Sequence, residues 1–150
     1  QITSMLEGVI QRGTGKKLKK LNMDLAGKTG TTNNNTDTWF VGFTSNLVVG
    51  VFIGNDEPKS LGKFETGSKT AMPVFENFIK KAINKKDARP FKVAKGIEMM
   101  LIDGKTGKNV EYRSTETIIE AFKINNKKNY FEKNQILNYK LSKKNIFNFY

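Results

Sequence analysis

Ala26-Gly27-Lys28-Thr29-Gly30-Thr31-Thr32 is the stretch that decides the reading of this chain. Its residues are small, β-branched or glycine, and Asn33-Asn34-Asn35 follows directly, so the pattern predicts a strand over residues 24–32 that ends in a turn. Side chains alternate along a strand, which puts Thr29 and Thr31 on one face and Lys28 on the other. Gly-Lys-Thr also invites a phosphate-binding loop. That loop would need its first glycine where this chain has Asn22, and a helix directly afterwards, where it has Gly30 and three asparagines.

Working outward from the strand, Ile2, Met5, Leu6, Val9 and Ile10 recur at helical spacing until Gly13 and Gly15, which predicts a helix over residues 2–12. The basic stretch 15–21 reads as an exposed connection. Downstream, residues 39–44 and 47–53 are two apolar runs separated by Ser45-Asn46, the spacing of a tight antiparallel hairpin. Neither run alternates cleanly, so both strands are expected to be covered on both faces, in a sheet between helical layers. Residues 55–68 carry Pro58, Gly62 and Gly67 and read as a loop. Val74, Phe75, Phe78, Ile79, Ala82 and Ile83 then form a helical stripe with Pro73 in its first turn. Beyond it, residues 96–102 and 109–113 are expected to pair across Asp103-Gly104, and residues 115–122 to form a short helix. The fold class is therefore α/β of the α+β kind, an antiparallel sheet flanked by helices.

The 150 residues contain no histidine and no cysteine, which removes Ser-His-Asp triads, thiol nucleophiles, disulfides and zinc sites built on imidazole or thiolate. With 37% hydrophobic and 27% charged residues the composition suits a globular chain, and no apolar run is long enough to cross a membrane. The net charge of +12 raises the question of a polyanionic partner. Its distribution argues otherwise: the charge sits in lysine clusters typical of solvated faces and in a Lys/Asn-rich tail over residues 123–150 with no sustained period, expected to be disordered. No stacking-sheet signature for RNA accompanies that tail, and no nucleic acid is expected as partner.

The order of helix, Lys-Thr-Gly-Thr-Thr strand, Asn-rich turn, Trp-Phe-Val-Gly-Phe strand, a second strand ending Phe-Ile-Gly-Asn-Asp, a Glu-Thr-Gly loop and a helix resembles the class A penicillin-binding proteins. Gln1-Ile2-Thr3-Ser4-Met5-Leu6 and Gln11-Arg12-Gly13-Thr14-Gly15 also look like that family's approach to its K-T-G strand. The resemblance covers residues 1–122 and implies the C-terminal part of a transpeptidase domain over residues 1–86, with a short extension over 87–122. It implies a peptidoglycan cross-linking D-Ala-D-Ala transpeptidase, a serine enzyme that works without a cofactor and is acylated by a stem peptide or by β-lactams. By the same resemblance the location would be the periplasmic face of the bacterial inner membrane, held by an anchor outside this sequence.

What the strand would do then follows from the substrate. A terminal carboxylate wants hydroxyl donors and a cation, so Thr29 and Thr31 are the candidate carboxylate contacts, and Lys28 supplies positive potential and reaches the catalytic hydroxyls. Gly30 lets the substrate backbone come close. The Thr31 N–H is expected, by resemblance, to be one of two oxyanion-hole donors. Lys28 and Thr31 are thus the catalytic candidates, and Lys28, Thr29, Gly30 and Thr31 the substrate-binding set.

Two other matches are rejected. Lys105-Thr106-Gly107 follows Asp103-Gly104 and reads as a hairpin turn. Ser60-Leu61-Gly62-Lys63 fits S-x-x-K on paper, but it lies after the K-T-G strand and Gly62 opposes the helix such a pair needs. Six serines among 23 lysines make about one chance match unremarkable. No S-x-N occurs, and no S-x-x-K precedes Lys28. The expectation is of a fragment that starts after the family's second motif and is inactive alone. The competing readings are a non-catalytic basic module binding nucleic acid or anionic cell-wall polymer, and the remnant of a split gene.

Overall fold

The computed structural model describes residues 1–84 and 88–124; the described residues from Ile2 to Lys92 form one compact unit, and those from Val93 to Ile124 belong to another. Helix α1, Ile2–Arg12, spans the expected residues, but of the expected stripe it buries Ile10 and leaves Ile2 and Met5 exposed. It closes where the amides of Gly13 and Gly15 both donate to the Val9 carbonyl, at 3.1 and 3.0 Å. The segment after it corrects the expectation of an exposed connection. It is a 3-10 helix, Lys16–Leu21, with Leu18 and Leu21 buried. Residues three apart eclipse one another in this geometry, so the two leucines share the inner side. Four lysines around them hid that pattern in the sequence.

Strands β1, Ala26–Thr31, β2, Asp37–Phe43, and β3, Val48–Gly54, form an antiparallel sheet in that order, with the expected hairpin between β2 and β3. The register sets Thr29 opposite Phe40 and Phe40 opposite Val51, so Thr29, Thr31, Thr38, Phe40, Val49, Val51 and Ile53 share one face. Helix α2, Ala71–Ala82, packs on that face through Ala71, Met72, Phe75 and Ile79, joined by Ile10, Leu18, Leu21 and Leu25 in a single apolar cluster. The Phe40 and Phe75 rings, both fully buried, lie 4.7 Å apart at its centre.

The chain is thus α+β, an antiparallel sheet flanked by helices, but both helices use the same face. This corrects the expected cover on both sides. On the outer face Trp39, Val41, Val48 and Phe52 are 44, 43, 69 and 51% exposed. Strand β2 does alternate in burial, and among the described residues no helix covers the outer side of its continuous apolar run. Phe43 is the partial exception, half-buried beside the Phe91 ring.

In the second unit, β4, Ile97–Asp103, pairs antiparallel with β5, Thr117–Lys123. Residues 115–122, expected as a helix, are therefore mostly strand. Ile118 and Ile119 are β-branched and find Ile102 and Leu101 as cross-strand partners, which decides the contest with helix propensity. The expected 96–102 with 109–113 pairing shrinks to one bridge, Ile102 to Asn109. The second K-T-G is a turn, as expected: Asp103 accepts bonds from the amides of Lys105 and Thr106 and from the Thr106 hydroxyl, and Gly107 takes φ +70°. The tail expected over residues 123–150 starts too early, since Lys123 ends β5 and the Ile124 N–H donates to the Gly96 carbonyl at 2.8 Å; residues 125–150 lie outside the described residues.

Candidate functional site

The site is the free edge of β1. Among the described residues β1 pairs with β2 alone. The Thr32 N–H donates to the Asp37 carbonyl at 3.0 Å, one step beyond the Thr31 to Thr38 pair. Bonding alternates along an antiparallel ladder, so the backbone groups of Gly30 and Lys28 turn toward β2, and those of Thr29 and Thr31 turn away from it. The edge accordingly presents the Thr31 N–H and the Thr29 carbonyl outward.

Three loops fix what surrounds that edge. The Asn-rich turn forms where expected, with Asn34 and Asn35 in the left-handed region at φ 61° and 54°, a conformation asparagine tolerates better than most residues. The Asn35 side chain donates to the Glu65 carbonyl at 2.6 Å, and its own carbonyl accepts the Leu61 N–H at 2.8 Å. This holds residues 55–68 against the sheet and brings Gly67 onto β1, where its N–H donates to the Thr31 hydroxyl at 3.1 Å. A Cβ on Gly67 would lie 2.3 Å from the Trp39 oxygen and 2.6 Å from the Gly30 oxygen, so only glycine fits there.

The third loop, between α1 and the 3-10 helix, carries Thr14, whose hydroxyl shares a 3.0 Å hydrogen bond with that of Thr29. Lys28 starts on the outer face, as alternation requires. Its long stem then folds round the edge, and the ammonium donates to the Thr29 carbonyl at 2.9 Å and to the Thr29 hydroxyl at 3.4 Å. The expectation that lysine and threonines face opposite ways therefore holds for the Cβ atoms and fails for the ammonium. An unpaired edge carbonyl within reach is the physical reason.

The structure thus brings Lys28, Thr29, Gly30 and Thr31 together with two residues the sequence reading did not single out as site members, Thr14 and Gly67. Thr14 lay in the Gln11-Arg12-Gly13-Thr14-Gly15 stretch that resembles the family's approach to the strand, which did not mark its side chain as a contact. Among the described residues no three acidic side chains converge into a metal-binding group. Chemically, the edge offers one cation, two hydroxyls and an outward amide within one strand, a set suited to a carboxylate and a developing oxyanion.

Residues 1–80 match the family model described as the penicillin binding protein transpeptidase domain. The chain belongs to the penicillin-binding protein transpeptidase family. It is 50% identical over 126 residues to penicillin-binding protein 1A of Rickettsia conorii, covering 84% of this chain and 16% of that protein. It is 39% identical over 123 residues to penicillin-binding protein 1A of Pseudomonas aeruginosa, covering 81% and 15%. The crystal structure of penicillin-binding protein 1A from Haemophilus influenzae superposes with a TM-score of 0.67 at 31% identity, covering 80% of this chain and 19% of that one. The chain therefore spans about one sixth of the length of these curated relatives.

Proposed function

We propose that this chain supplies the K-T-G wall of a serine-type D-Ala-D-Ala transpeptidase site within a longer peptidoglycan cross-linking protein, working at the periplasmic face of the inner membrane. Residues 1–86 carry the transpeptidase part and residues 87–122 a short extension. No described helix is long and apolar enough to cross a membrane, so none of them serves as the anchor. The observation that carries the reading is the state of Thr31: its hydroxyl already accepts the Gly67 N–H, which leaves the hydroxyl proton to give, and its own N–H faces outward on the same edge.

In this reading Thr29 and Thr31 hold the terminal carboxylate of the stem peptide or the equivalent group of a β-lactam. Lys28 provides the charge, which strengthens both hydrogen bonds. Gly30 admits the substrate backbone, and the Thr31 N–H stabilises the tetrahedral oxyanion. The serine nucleophile and its base come from elsewhere in the longer protein, since these 150 residues hold no S-x-N and no S-x-x-K ahead of Lys28. Acylation joins the serine oxygen to the substrate carbonyl with loss of D-Ala, and a neighbouring amine then displaces the serine to form the cross-link.

The test uses the Rickettsia conorii protein with this chain in place of the region it matches, called the hybrid below. The hybrid is expected to be labelled covalently by a fluorescent penicillin, and the 150-residue chain alone is not. Labelling of the chain alone, or an unlabelled hybrid, overturns the proposal.

A further inference from the structure

We infer that Thr14 is a positioning residue for carboxylate recognition: its hydroxyl donates to that of Thr29 and so turns the Thr29 proton outward toward the ligand. The inference rests on the K-T-G reading above and adds to it a residue from a different element. Its starting point is the 3.0 Å bond between the two hydroxyls, which joins residues fifteen apart in sequence.

The turn that carries Thr14 is built to deliver one side chain. Amides on both sides of it are tied down: Gly13 and Gly15 donate to Val9, Lys16 to Gly13 and Leu18 to Gly15, at 2.9 to 3.2 Å. Both flanking glycines are closely packed on α1. A Cβ on Gly15 would lie 2.7 Å from the Ile10 side chain, and one on Gly13 would lie 3.0 Å from both the Cα and the carbonyl oxygen of Val9. The Gly13-Thr14-Gly15 turn is thus pressed against α1, and the single hydroxyl it holds meets β1.

Proton counting gives the direction of the bond. A hydroxyl has one proton and two acceptor positions. The Lys28 ammonium, a donor only, points at the Thr29 oxygen from 3.4 Å and takes one acceptor position. If Thr29 gave its proton to Thr14, nothing would remain for a carboxylate, which accepts and never donates when ionised. With Thr14 as donor, Thr29 has both acceptor positions filled and its proton free, and each bond polarises the next toward the anion. Thr31 reaches the same state by a different route, with the Gly67 amide as donor. Two threonines on one strand thus each receive a hydrogen bond from a tightly built loop.

The test is made in the hybrid, with the acylation rate constant measured for a penicillin and for its methyl ester, which lacks the charged carboxylate. Thr14→Val is expected to lower the preference for acid over ester by about three- to tenfold, the size of one hydrogen bond. Thr14→Ser is expected to restore the preference. Thr29→Val should lower it by at least as much, with Thr14→Val causing no further loss on that background. Equal slowing of acid and ester in Thr14→Val, additive losses in the double variant, or no rescue by serine would overturn the positioning role while leaving the K-T-G reading intact. A hybrid with unmodified Thr14 that shows no preference for the acid would instead strike at the K-T-G reading itself.

Discussion

The Gly67 N–H donates to the Thr31 hydroxyl at 3.1 Å, from a position where a Cβ would sit 2.3 Å from the Trp39 carbonyl oxygen. Both obstructing atoms, the Trp39 and Gly30 oxygens, are backbone and cannot swing aside as a side chain could. Gly67→Ala must therefore push residues 66–68 off the strand. Loss of that seat misplaces Thr31, and the hybrid's acylation by penicillin is expected to fall on the order of 10²-fold. Retention of the unmodified rate in Gly67→Ala would show that the contact is dispensable.

Phe40 and Phe75 carry the packing that holds the sheet to α2, with rings 4.7 Å apart and no exposure. Phe75→Ala leaves a cavity lined by Phe40, and also by Gly42, whose missing side chain gives no cover. Destabilisation of about 3–5 kcal/mol is expected, measured by denaturant unfolding of the chain. A loss under about 1 kcal/mol would mean that the helix closes the gap by shifting.

Glu76 lies between two lysines of different elements, Lys20 at 3.0 Å and Lys80 one turn along α2. Burial pushes its carboxyl up, but the hydrogen bonds and charges of Lys80 and Lys20 outweigh that and hold it below its ordinary value of 4.5. A lowered folded-state value means that ionised Glu76 stabilises the fold at neutral pH, and that this contribution fades as pH drops from 4.5 through the lowered value. A carboxyl chemical-shift titration is expected to place Glu76 below 4.5, and Lys20→Met or Lys80→Met to move it upward. An unmoved titration in both variants would show that the pairs are ordered without being felt.

The outer face of the sheet exposes Trp39 and Phe52, their rings 4.8 Å apart and tilted by 50°, with Val41 and Val48 alongside. Apolar strands left open to water favour self-association. Val48→Lys is expected to change unfolding free energy by no more than about 0.5 kcal/mol and to lower self-association of the chain in sedimentation velocity. Unchanged sedimentation across a concentration series would rule this face out as the cause of association.

Much of this architecture was legible because local pattern and tertiary role agreed. Both helices, the Asn33-Asn34-Asn35 turn and the K-T-G strand formed where read, although Ile2, Met5, Val74 and Phe78 of the two stripes stay exposed and α2 buries Ala71, Met72, Phe75 and Ile79. Failures came where one property concealed another. Lysines masked the buried pair Leu18 and Leu21, and apolar residues on both sides of β2 mimicked a doubly covered strand. The short segment 115–122 could be told as strand only from its partners in β4, which sequence periodicity does not contain. Thr14 escaped for a similar reason: its importance lies in the distance to Thr29, set by how tightly two glycines let the turn press on α1.

Strand β2 keeps two separate mutational ledgers. Substitutions at Thr38, Phe40 and Gly42 act on the apolar cluster, so each should register in the melting behaviour of this chain by itself. Substitutions at Trp39 and Val41, one position away in every case, should leave that melting nearly unchanged and register instead in solubility or in fit with whatever meets the outer face. A position-by-position scan along the five residues from Thr38 to Gly42 would therefore oscillate with period two between two phenotypes.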